Sequence, residues 1–146
     1  MKILIAVDDS PHSERAVEFV TRIRWPAGSR LMVLTVVQPV TTALAGPVET
    51  GMGLEFGQEL RERHQALVTR TENVLRTCGF ATEGRVVEGD PRDALLQIAR
   101  DEHVDLIVVG SHGRTGLAKL MLGSVSSTAV THAPCSVLVI KKPGRR

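Results

Sequence analysis

Unbroken apolar runs alternate with amphipathic stretches along this chain. "KILIAV" (2–7), "RLMVLTVV" (30–37), "VDLIVVG" (104–110) and "SVLVIK" (136–141) carry little polar alternation, the pattern of strands covered on both faces. A shorter strand lies within "ATEGRVVEG" (81–89). Helical spacing fills the gaps between them. Ser10 reads as an N-cap with Pro11 at the first helical position, and the helix that follows turns Ala16, Val20 and Ile23 to one face, with Val17 beside them. From Leu54 to Cys78 a stripe of Leu60, His64, Leu67, Thr71, Leu75 and Cys78 predicts a long helix ended by Gly79. Asp90 caps a third helix, with Pro91 first, Asp93 in the first turn, and Ala94, Leu95, Ile98 and Ala99 on the apolar face. A fourth is expected near 124–132.

The order is therefore β-α-β-α-β-α-β-α-β, with helices linking buried strands. That predicts a doubly wound α/β fold around a parallel sheet, in one domain spanning residues 1–146. Ligands of such sheets sit at the carboxyl ends of the strands, where strand order reverses. The loops that follow strands are the places to search for chemistry. The stretch 38–53, "QPVTTALAGPVETGMG", is aperiodic and long for a compact domain, which marks it as mobile or functional.

Composition narrows the partners. Charged residues make up 23% and the net charge is +2, too little to draw nucleic acid or a membrane surface. Aromatics are 3% with no Tyr, so stacking platforms for single strands are missing. "KKPGRR" at the end reads as a solvated tail. Cys78 and Cys135 form no paired or zinc spacing, and their apolar neighbours suggest buried, reduced thiols in a cytoplasmic protein. No apolar stretch approaches the ~18 residues of a membrane span, and the chain opens on a strand-like run that leaves no signal peptide.

Two loops carry candidate chemistry. "AVDDS" places Asp8 and Asp9 at the mouth of the first strand, where a carboxylate pair can hold magnesium, grip a ribose, or start a helix. "GSHGRTGLAKLMLGSVSS" (110–127) follows the fourth strand. Its glycines, Gly110, Gly113 and Gly123, allow positive φ and close backbone approach. Gly123-Ser124 opens a helix, leaving the N–H groups of Ser124, Val125 and Ser126 at a positive dipole end, with the Ser124 and Ser126 hydroxyls able to donate to the same anion. Arg114 and Lys119 can add charge. His64 reads as a structural histidine on its helical stripe, and His112 as a loop histidine.

Gly110-x2-Gly113-x9-Gly123-Ser124 resembles the ATP-binding pattern of the universal stress protein family. "AVDDS", "EGDPRDALLQIA" and "HAPCSVLVIK" are similar to that family's first strand exit, third strand exit and closing segment. The resemblance covers essentially the whole chain. It implies one universal stress protein domain, of the adenine nucleotide alpha hydrolase-like kind, with strand order 3-2-1-4-5. It implies that Asp8 and Val36 face the ribose and adenine of ATP or another adenine nucleotide. Val109, Gly110, His112, Gly113, Gly123, Ser124, Val125 and Ser126 would follow the nucleotide toward its phosphates. Magnesium, where present, would arrive with the phosphates rather than on Asp8 and Asp9, leaving Asp9 as a turn residue. The resemblance also implies a homodimer through the final strand, 136–141.

Two rivals fit less of the sequence. A receiver domain would use Asp90 as phospho-acceptor with Lys141, yet "GDPRD" reads as a helix cap and nothing in a receiver needs the 110–124 glycine spacing. A fast phosphotransferase would need a P-loop lysine, and the chain has no Gly-x4-Gly-Lys-Ser/Thr and no Gly-x-Ser-x-Gly elbow. The expectation is a nucleotide-binding regulatory module that hydrolyses ATP slowly at most.

Overall fold

A computed structural model of the chain describes residues 1–39, 51–113 and 121–142, with side chains in the second segment described from residue 55. The elements are β1 (Lys2–Ala6), α1 (Pro11–Arg22), β2 (Arg30–Val37), α2 (Gly51–Thr77), β3 (Ala81–Glu88), α3 (Pro91–Asp101), β4 (Leu106–Gly110), α4 (Ser124–His132) and β5 (Ser136–Ile140). β4 starts two residues later than its apolar run, because Val104 and Asp105 form the approach to the strand. α2 starts three residues before the Leu54 of the sequence stripe. Most of the 38–53 loop, together with Arg114 and Lys119, lies outside the described residues.

All five strands run parallel in the order β3-β2-β1-β4-β5. β1 is central, paired through Ile3 with Leu31 on one side and Leu106 on the other. The receiver-type order is 2-1-3-4-5, so the sheet itself excludes that rival. Strand alternation sends neighbouring residues to opposite faces. Ile3, Ile5, Val33 and Val108 pack with Ala16 and Val20 of α1 and Leu67, Val68 and Leu75 of α2. Leu4, Met32, Leu34, Ile107 and Val109 pack with Leu95 and Ala99 of α3 and Ala129 of α4. Burial on both faces explains why β1, β2 and β4 lack polar alternation.

Caps begin α1 and α3 where the sequence places them. Ser10 Oγ accepts from the Ser13 N–H at 3.1 Å, and Asp90 Oδ1 accepts from the Arg92 N–H at 2.8 Å. The Arg92 side chain also closes on Asp90 and, with that backbone bond, holds its carboxyl down to about 2. Asp90 is thereby committed to starting a helix.

The cysteines depart from expectation. Cys135 is half-buried and burial raises its thiol pKa, but Cys78 is exposed at the end of α2. The helical stripe ends at Leu75, and Cys78 has already left the helix. Among the described residues, no helix is long and apolar enough to cross a membrane.

Candidate functional site

The strand order reverses between β1 and β4, and a cavity of about 610 Å³ opens there at the carboxyl ends of the strands. All ten candidate residues line it. Asp8 leaves β1, Val36 stands near the end of β2, and Val109 and Gly110 close β4. His112 and Gly113 follow, and Gly123, Ser124, Val125 and Ser126 bring in the start of α4. A second hollow of about 680 Å³ has its whole lining, from Glu62 to Val74, on α2. One helix cannot enclose a ligand, so the chemistry belongs to the cavity at the switch point.

The two acids of β1 have separate environments. Asp8 is half-buried, and its Oδ1 accepts from the Ser10 hydroxyl at 2.6 Å and the Ser10 N–H at 3.2 Å. The Asp8 N–H donates to Ser13 Oγ at 3.2 Å, so the first turn of α1 fixes this residue at both ends. Asp9 takes a left-handed φ of 59° and points to solvent, where Arg70 pairs with it at 3.3 Å. That geometry belongs to a turn residue and an exposed ion pair worth little in stability. Among the described residues, no group of three or more His, Cys, Asp or Glu side chains gathers around a metal position.

The glycines do their work differently from the positive-φ reading. None of Gly110, Gly113 and Gly123 is left-handed; Gly110 and Gly113 sit where a side chain would collide, and Gly123 where one would be tightly packed. A Cβ on Gly110 would stand 2.7 Å from the carbonyl carbon of His12, on Gly113 2.7 Å from Asp8 Oδ2, and on Gly123 3.2 Å from His112 Cα. The first lets α1 dock on β4, the second leaves room beside the carboxylate, and the third folds the loop onto its own start.

Ser111 ties this loop together. Its N–H donates to the Ile140 carbonyl at 2.8 Å, and its carbonyl accepts from the Gly123 N–H at 2.8 Å and Ser126 Oγ at 3.0 Å. The Ser126 hydroxyl is therefore spent inside the protein, contrary to its expected role as a ligand donor, while Ser124 is exposed. The first bond of the α4 ladder is Ser127 N–H to Gly123 O at 2.9 Å, so the N–H groups of Ser124, Val125 and Ser126 precede it. They present the positive end of the helix dipole to the cavity.

Sequence reasoning missed part of the wall. Ser13, Gln38, Leu60, His64, Leu95, Met121 and Leu122 also line the cavity. His64 is buried as expected, its Nδ1 2.8 Å from Thr35 Oγ1, but its helical stripe gave no sign that α2 reaches the mouth of β2. Met121 and Leu122 carried a readable signal, an apolar pair immediately before a helix start, and both are exposed at the rim.

The fold agrees with the comparisons to known proteins. The model of the universal stress protein family matches residues 1–141. The chain is a member of the universal stress protein family. A universal stress protein of Thermus aquaticus, encoded beside a QAH/OAS sulfhydrylase, is 34% identical over 140 residues, covering 95% of this chain and 97% of its own. The solved structure of the hypothetical protein MJ0577 superposes with a TM-score of 0.86 at 28% identity, over 99% of this chain and 97% of that one. A universal stress protein solved in complex with cAMP gives a TM-score of 0.68 at 25% identity, over 97% and 96% of the two chains.

Proposed function

We propose that this universal stress protein binds an adenine nucleotide, ATP foremost, and acts as a cytoplasmic nucleotide-dependent regulatory module. The observation that carries the reading is the shared cavity: Asp8 lines one space with Gly110, Gly113 and the start of α4, which lie over a hundred residues further along the sequence. Its volume lies within the roughly 300–1,000 Å³ of small-molecule sites. The space that Gly113 leaves beside Asp8 and the open N-terminus of α4 suit a ligand with hydroxyls at one part and an anion at another. The family member solved with cAMP adds support for the ligand class.

In this reading the Asp8 carboxyl oxygens accept hydrogen bonds from ribose hydroxyls. Ser10 keeps that carboxylate aimed. Leu34, Val36, Leu95 and Val109 supply apolar surface for the base. The N–H groups at the start of α4, the Ser124 hydroxyl and the dipole hold phosphate oxygens. Magnesium would come with the phosphates. Fast transfer requires a positioned nucleophile and a metal clamp; in this reading hydrolysis is slow at most. A turnover number near or above about one per second would contradict a regulatory role.

Thermal unfolding with ATP, ADP, AMP, cAMP and GTP, each with and without magnesium, tests the reading. At 100 times its Kd, ATP stabilises the fold by about 2.7 kcal/mol, a rise in Tm of roughly 5–10 °C for a chain this long. GTP should shift it less. No rise with any nucleotide would overturn the proposal.

β5 is an edge strand whose Val137, Leu138 and Val139 remain half-buried, with one side paired only to β4. An edge of this kind is a template for another strand. The reading includes a homodimer formed by pairing 136–141 between two copies. Light scattering at micromolar concentration should give twice the mass of the chain; a monomer mass would remove the dimer from the proposal.

A further inference from the structure

Ser13 is the third residue of α1 and lines the switch-point cavity with Asp8, yet it is only 5% exposed. Its Oγ accepts from the Asp8 N–H at 3.2 Å. A hydroxyl also has a proton to donate, and burying that proton without an acceptor is costly. The other buried serines and threonines have a partner able to accept. Ser10 Oγ donates to Asp8 Oδ1 at 2.6 Å, Thr71 Oγ1 to the Leu67 carbonyl at 2.9 Å, and Ser126 Oγ to the Ser111 carbonyl at 3.0 Å. Thr35 Oγ1 lies 2.8 Å from His64 Nδ1, and Ser111 Oγ lies between the Nδ1 atoms of His12 and His112. The Ser13 hydroxyl donates to none of the described residues.

The start of the helix explains the exception. A helical serine or threonine commonly returns its proton to the carbonyl three or four residues back, as Thr21 and Thr71 do with Glu18 and Leu67. Four residues before Ser13 stands Asp9, outside the helix with its left-handed φ of 59°. Three residues before it, the Ser10 carbonyl takes the Glu14 N–H at 3.0 Å. The proton is left to whatever fills the cavity. Water can accept it in solution, and a ligand that displaces the water must bring an acceptor of its own.

Asp8 narrows what that ligand atom can be. Ser10 holds both residues, taking the Ser13 N–H at 3.1 Å while donating to Asp8 Oδ1. An atom that donates to the Asp8 carboxyl and accepts from Ser13 must be donor and acceptor at once. A hydroxyl is both, whereas a phosphate oxygen only accepts. We propose that Ser13 is a specificity-determining residue of the nucleotide site: its hydroxyl donates to a ribose hydroxyl oxygen whose own proton goes to Asp8. The pair thereby selects ribose over deoxyribose. This rests on the nucleotide reading above and adds a residue and a sugar preference to it.

Calorimetric titration of the full chain and of S13A with ATP, 2′-deoxyATP and 3′-deoxyATP tests the inference. S13A should bind ATP about fivefold more weakly, the loss of one hydrogen bond. For the deoxynucleotide that lacks the contacted hydroxyl, S13A should match the original chain. That spared ligand separates direct contact from an effect passed through Asp8. Either deoxynucleotide still has a hydroxyl for Asp8, so a displaced carboxyl would weaken both. Unchanged ATP affinity in S13A overturns the inference, as does an equal loss with all three nucleotides. Should S13A not fold, S13C takes its place in the same series, since a thiol is a weak donor of similar shape. If the original chain binds no nucleotide, the reading beneath fails too; if it binds ATP and S13A binds equally well, this inference fails alone.

Discussion

Replacing Gly110 by alanine should lower the unfolding free energy by about 3 kcal/mol, read as a fall in urea midpoint at constant slope. The new Cβ would lie 2.7 Å from the carbonyl carbon of His12 and 2.8 Å from its oxygen. Those are backbone atoms of the first turn of α1, which Ser10 caps, so no rotamer change can relieve the contact. Strand β4 cannot retreat either, because Gly110 is paired to Ile140 and its neighbours Val108 and Val109 are buried in opposite cores. The helix must lift off the sheet and open packed apolar surface. Gly57 is the control: it lies in α2, where an added Cβ would meet no atom within 4 Å, and alanine there should stabilise by up to about 1 kcal/mol. An unchanged midpoint for the Gly110 variant would show that α1 does not depend on this close approach.

Gly113→Val should leave the fold near its original stability and weaken ATP binding by at least about tenfold, or 1.4 kcal/mol. Here the colliding atom is Asp8 Oδ2, at 2.7 Å, the far end of a side chain rather than backbone. The carboxylate can swing aside, but its Oδ1 is bonded to the Ser10 hydroxyl at 2.6 Å, so turning it gives up that bond or its aim. The loss should therefore appear in the ATP-dependent rise in Tm and not in the Tm without ligand. A full ATP shift in this variant would remove Asp8 from the nucleotide site. The pair of glycines thus separates two uses of one residue type, a docking surface at Gly110 and a clearance beside the Asp8 carboxyl at Gly113.

Much of this was readable from residues alone, for physical reasons. Parallel strands covered on both faces give unbroken apolar runs, and "KILIAV" and "RLMVLTVV" say so directly. Ser10-Pro11 and Asp90-Pro91 are start signals whose side chains make the expected bonds. The ten residues from Asp8 to Ser126 that the family resemblance singled out line one cavity, because strand ends and helix starts are fixed by the fold. What stayed hidden depends on distances across elements. Spacing identified the glycines but not what they approach: they serve close packing, and none takes the positive φ that glycine also allows. Ser126 offered a hydroxyl in the sequence, and only the return of the chain to Ser111 shows it occupied. His12 gave no signal at all; its partner is 100 positions away.

Strand β1 is made before the other strands and is the centre of the sheet, yet one of its two neighbours is β4, with Ile3 opposite Leu106. That pairing spans most of the chain, and such non-local contacts slow folding because a large loop must close before they repay it. The cavity wall draws on residues through Ser126. A growing chain thus completes β1, β2 and β3 well before the cavity has its full wall, and a nucleotide bound as proposed would stabilise only the finished arrangement. Under that proposal, ligand availability would act on the lifetime of the folded protein, through the rate of unfolding, and would have no hold on how quickly the first half of the sheet assembles.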